Sequence, residues 1–152
     1  MVTVTKKLVT EPLDNSRYFT FLALIGLLLP LLLLFVEKIL LPYPALIEEV
    51  AKGLVVVYMV LKFGQGGQRV WGALVFVLVF AMSENIFYFL NFAQQNSVSL
   101  YLWRFFWPTL MHLLTVYFML LLAWRDRRWI IIAMIITMAI HFFYNNYFVF
   151  WL

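Results

Sequence analysis

The chain has no cysteine. That excludes disulfides, a thiol nucleophile, and every cysteine-based zinc or iron–sulfur site. Charge is scarce as well. Only 12% of the residues are charged and 66% are hydrophobic, whereas soluble domains have about a quarter charged and half apolar. The chain therefore reads as an integral membrane protein. The period-two alternation of a transmembrane barrel is absent. The expected class is all-α: a polytopic helical bundle forming one integral membrane domain over 1–152. Turn formers are few, with six glycines and five prolines. No linker long enough to divide domains is visible, and no internal repeat. No small-residue cleavage site follows the first apolar run, so no cleavable signal is expected. The net charge of +4 is explained by basic loop residues that orient a membrane protein, and no nucleic-acid partner is expected.

What is present is long apolar stretches. A helix needs roughly 20 apolar residues to cross the hydrocarbon, and five segments qualify. They run from about 18 to 36, 45 to 63, 70 to 92, 100 to 124 and 129 to 151. The breaks between the later spans carry turn chemistry: LPYP at 41–44, GQGG at 64–67, QQNS at 94–97 and RDRR at 125–128. Pro42 and Pro44 suit the start of the second helix. Basic residues fall mostly on one side: Lys6, Lys7, Arg17, Lys62, Arg69, Arg125, Arg127 and Arg128, against Lys38 and Arg104. The positive-inside rule then places residues 1–17 and the N-terminus in the cytoplasm and the C-terminus outside a cell membrane.

Against this background a few polar residues stand out. Glu48, Glu49 and Lys52 lie on the second span, Glu84 and Asn85 on the third, His112 on the fourth, and His141 and Asn145 on the fifth. Three of the seven acidic residues and both histidines are thus inside spans. At about 1.5 Å per residue, Glu48 is about 6 Å from its outer helix end, Glu84 about 12 Å, and each histidine about 17 Å. Each has a plain reading. The Glu48–Glu49 pair could be a helix N-terminus favoured by the macrodipole. Glu48 with Lys52 could be an i,i+4 ion pair, and Glu84 with Tyr88 a hydrogen bond at the same spacing. The histidines and asparagines could be interhelical glue.

The combination says more. Ionisable groups converging from four helices call for a polar cavity. Such a set holds what amide hydrolysis needs: a carboxylate and imidazole to take a proton from water, and donors for the developing oxyanion. A zinc enzyme using His112, His141 and a glutamate is an alternative, although the HExxH pattern is missing. So is a proton or cation pathway built from acid and histidine chains, or a non-catalytic immunity or scaffold protein.

The motifs EEVAK (48–52), ENIFY (84–88) and HFFYN (141–145), with His112 between them, resemble those of PrsW-type intramembrane proteases. These belong to the wider superfamily of CAAX prenyl endopeptidases and bacteriocin-immunity (Abi) proteins. The resemblance implies a glutamate-dependent intramembrane endopeptidase without a required metal, zinc being the alternative cofactor. It implies Glu48 as general base, His112 as the group orienting water, and His141 with Asn145 as the oxyanion site. Glu49 and Lys52 would brace Glu48, Glu84 would be a further essential carboxylate, and Tyr88 would support it. The implied substrate is a membrane-anchored protein, such as an anti-sigma-factor-like regulator, cut near the outer face of the bilayer. Lys52 stands where the prenyl endopeptidases have arginine, which argues against a prenylated-cysteine substrate. The chain has fewer spans than relatives usually have, which leaves room for a homo-oligomer to supply gating helices.

Overall fold

The computed structural model describes residues 15–39, 43–63, 66–92 and 98–148. All regular structure there is helical: α1 (Asn15–Ile39), α2 (Pro44–Lys62), α3 (Gly66–Phe92), α4 (Val98–Arg125) and α5 (Trp129–Phe143), the last continuing into a π-helical turn, Tyr144–Phe148. The five expected spans correspond to these five helices. Residues 1–14, 40–42 with Pro42, 64–65, 93–97 with all of QQNS, and 149–152 with the end of the fifth span lie outside the described residues.

Among the described residues, four helices are long and apolar enough to cross a membrane, over Ser16–Val36, Gly66–Ile86, Phe105–Arg125 and Trp129–Tyr147. The second predicted span differs. It is helical over 19 residues, but Glu48, Glu49 and Lys52 make its first half too charged to stand in hydrocarbon alone. The fold answers this by packing α2 against each of the other four helices, while α1 packs on α3, α3 on α4, and α4 on α5. One stripe of α2 is buried, running Ala45, Glu48 and Glu49, Lys52, Val55 and Val56, Met59. The opposite stripe, Leu46, Val50, Leu54 and Leu61, is exposed. The helix is thus inverted relative to a soluble amphipathic one, with charge inside and apolar residues toward lipid.

Local chemistry fixes the ends of α2. Pro44 opens the helix, and the Tyr43 carbonyl accepts from the amides of Leu46 and Ile47 at 3.1 and 3.2 Å. At the other end, Arg69 of α3 donates to the carbonyls of Phe63 (2.6 Å) and Val60 (3.3 Å). A cation thereby satisfies carbonyls that the helix end leaves open. Between α4 and α5, the Asp126 carboxylate accepts the Arg128 amide at 2.9 Å and closes a tight turn. Below the polar layer the core is aliphatic and aromatic: Leu22, Val56, Met59, Phe76, Val77, Val116 and Met119 are fully buried.

Candidate active site

The depth mismatch expected between Glu48 and the histidines is closed by a stagger of the helices. Lys52 follows Pro44 by eight residues, and His112 follows Val98 by fourteen. The difference of six residues is about 9 Å along a helix. Yet Lys52 Nζ lies 2.8 Å from His112 Nδ1. The second helix therefore begins deeper than the fourth, and its first turns meet the middle of α4.

Two linked groups result. The first is an anchor. Glu49 Oε1 accepts from Lys52 Nζ at 2.6 Å and from His141 Nδ1 at 2.9 Å, with Glu49, Lys52 and His141 all buried. Lys52 has only donors to offer, so its contact with His112 places a lone pair on Nδ1 of that ring. Phe80 encloses this hub. Its ring meets His112 edge-on at 5.3 Å between centroids and lies 5.2 Å from Lys52 Nζ, a cation–π distance.

The second group is Glu48, Glu84 and His112. His112 Nε2 and Glu84 Oε2 approach to 2.6 Å, yet not in hydrogen-bond geometry. Glu48 Oε2 sits 3.6 Å from Lys52 Nζ and 3.9 Å from His141 Nε2. Among the described residues of the cluster, Glu48 Oε2, Glu84 Oε2 and His112 Nε2 are buried without a hydrogen-bond partner, as is the second oxygen of Glu49, which stands outside the trio. One donor atom from each of these residues falls within 4.8 Å of the others. Buried polar atoms are normally satisfied, so three that face one another point to a shared fourth party, a water or a cation. Side-chain exposure agrees: Glu48 keeps 11% and Glu84 15%, while Glu49 and Lys52 keep none.

By residue type the donor set is one that a divalent metal accepts. Two carboxylate oxygens and one imidazole nitrogen are a ligand trio that zinc accepts, leaving a fourth position open. Charge fits too. Three carboxylates against one lysine leave two negative charges in excess, which protons or a divalent cation must balance in a low-dielectric interior. One feature departs from the usual surroundings of a metal site. A ligating histidine commonly donates its second ring N–H to an acceptor, but His112 Nδ1 faces the donor Lys52. A neutral ring that accepts there carries its proton on Nε2, so Nε2 is a ligand only when Lys52 has given up a proton to Nδ1. The trio also differs from the expected zinc set, because His141 turns to Glu49 rather than joining His112.

The remaining predicted residues are less tightly gathered. Asn145 is half-buried on the π-helical turn, where widened i→i+5 bonding breaks the four-residue register with His141. Among the described residues, no hydrogen bond joins Asn145 to the cluster. The Tyr88 side chain lies outside the described residues. Phe80 was not anticipated from sequence. It precedes Glu84 by four residues and so shares its face, but one phenylalanine among sixteen gives no signal of its own. An apolar groove of about 670 Å³ between α4 and α5 passes Met111 and Thr115 beside His112 and Thr137 and Ile140 beside His141. It has no carboxylate on its wall.

No curated protein and no solved structure was found to match the chain. A family model does match, over residues 20–152, a range that takes in every helix of the cluster; by that match the chain belongs to the PrsW family of intramembrane metalloproteases.

Proposed function

We propose that the chain hydrolyses a peptide bond of a membrane-anchored regulatory protein near the outer face of the bilayer, with water activated among Glu48, Glu84 and His112. The observation that carries this reading is the set of three buried, unpartnered donor atoms facing one another. Glu48 is the general base. It is buried but keeps 11% of its side chain accessible, touches Lys52 only at ion-pair distance, and has an oxygen free to take a proton from water and pass it to the leaving amine. His112 is held by Lys52 with Nε2 toward Glu84, so ring and carboxylate flank the same water. His141 is clamped by Glu49 at Nδ1, which leaves Nε2 on the Glu48 side. From there, when protonated, it donates to the oxyanion with Asn145. Glu49 and Lys52 act as braces. A divalent ion, held by Glu48, Glu84 and His112, would supply Lewis-acid polarisation of water and carbonyl.

Cleavage of a single-span reporter tests the assignment. Glu48→Gln and His112→Ala should each lower kcat by about 100-fold or more; wild-type cleavage by both removes the peptidase role from this cluster. Metal dependence is read separately. If the trio binds zinc, a chelator abolishes cleavage, zinc restores it, and zinc raises the thermal midpoint of wild type but not of Glu84→Ala. Cleavage unaffected by chelation, with no bound metal on elemental analysis, leaves the metal-free glutamate mechanism.

A further inference from the structure

Glu84 reaches the cluster from α3 while His112 reaches it from α4, and something must hold the two helices in register. Consecutive helical residues point about 100° apart, so the residues flanking Glu84 face other neighbours. Ser83 Oγ donates to the Leu27 carbonyl of α1 at 2.8 Å. Asn85 is buried, and its Nδ2 donates to the Ala81 carbonyl of its own helix at 2.8 Å and to Thr109 Oγ1 of α4 at 3.3 Å. Thr109 in turn donates to the Phe105 carbonyl at 2.6 Å. This chain of bonds crosses a weak place in α4. Pro108 lies inside the helix, lacks an N–H, and leaves the carbonyl four residues earlier without its helical donor. His112 sits four residues beyond that break, one turn from Thr109.

We propose that Asn85, acting through Thr109, is a positioning residue that sets the Glu84 carboxylate against His112. Asn85 touches no reacting atom; it fixes the stagger of α3 on α4 at the turn where Pro108 has loosened it. The 2.6 Å approach of Glu84 to His112 lies beside this bond. At the other end of the same helix pair, Tyr117 Oη donates to the Val70 carbonyl at 3.0 Å. That second α3–α4 bond supplies a control of the same kind.

This inference rests on the proposed role of Glu84 and His112, and the test separates the two. Reporter cleavage is measured as kcat and KM for Asn85→Ala, Thr109→Val, Thr109→Ser, the Asn85→Ala/Thr109→Val double variant, Tyr117→Phe and Glu84→Gln, with thermal midpoints in detergent. A displaced catalytic group lowers kcat steeply for a small shift. Asn85→Ala and Thr109→Val should each lower kcat by about 10- to 100-fold, with KM within about threefold. The double variant should be no worse than the poorer single by more than about twofold, because both remove one bond. Thr109→Ser keeps the hydroxyl and should restore wild-type kcat, and Tyr117→Phe should cleave normally. If Asn85→Ala misfolds, the Thr109→Val and Thr109→Ser pair still decides. Wild-type kcat in Thr109→Val while Glu84→Gln is inactive overturns the positioning role and leaves the site standing. So does an equal loss in Tyr117→Phe, which would mean general loosening. Full activity in Glu84→Gln overturns both readings.

Discussion

Glu48 and Glu49 are neighbours in sequence but meet different partners. Glu49 Oε1 is held between a lysine and a histidine while its Oε2 stays unpartnered, whereas Glu48 meets Lys52 only at 3.6 Å and faces Glu84 and His112. Glu49→Gln should therefore lower unfolding stability more than Glu48→Gln does, while Glu48→Gln leaves a folded protein that does not cut. Detergent unfolding curves set beside reporter cleavage make the comparison. Lys52 is the sharper case, being fully buried and, among the described residues, the one lysine or arginine in the cluster. Removing one partner of a buried ion pair leaves a lone charge and costs about 3–5 kcal/mol. Lys52→Met should lose stability of that order in a denaturant titration; a loss below about 1 kcal/mol would mean that the carboxylates are balanced by something else.

At the scale of elements, packing rests on close approach of small residues as well as on the polar cluster. Gly26 of α1 faces the backbone of α3, and a Cβ there would come 2.6 Å from the Phe76 carbonyl. Backbone cannot move aside as a side-chain tip can, so α1 would have to back away from α3. Gly26→Ala should cost about 1–3 kcal/mol of stability, as overpacking does, and Gly26→Val more, both read from detergent unfolding. Without the Lys52, Glu49 and His141 bonds, the charged first half of α2 would have no counterpart inside the bundle.

For the whole molecule, the distribution of lysine and arginine predicts how it sits in the membrane. The absence of cysteine makes this easy to test. A single cysteine at Asp126→Cys, on the exposed α4–α5 turn, should resist a membrane-impermeant maleimide in intact cells. Tyr43→Cys, exposed at the other end, should be labelled. The reverse pattern would overturn the cytoplasmic N-terminus and move the polar cluster toward the inner face.

Much of this was legible in the sequence because charge in a long apolar run is conspicuous. Glu48, Glu84 and His112 could be picked out one by one, since each breaks a stretch that lipid or core would otherwise fill. Phe80 could not, because an aromatic in a chain that is one-fifth aromatic looks like packing. Asn85 was visible as a polar residue, but its partner Thr109 was not, since a hydroxyl bonded to its own helix is tolerated in any span. The likeness of His141 and Asn145 as a four-residue pair was only half realised, because the helix changes to π geometry between them.

By itself the sequence determined that the protein lives in a membrane, that it is helical, and which side chains are expensive to bury. Each of these follows from local composition: hydrocarbon demands long apolar helices, and prolines and glycines punctuate them. Only the tertiary structure decided which of the expensive side chains meet. A helix that is apolar on nearly every side does not reveal its rotation, and its length does not reveal its depth. The stagger of α2 by about 9 Å against α4, and the turning of its charged stripe inward, joined Lys52 to His112 and Glu49 to His141. Those pairings left Glu48, Glu84 and His112 facing one another with unspent bonding capacity.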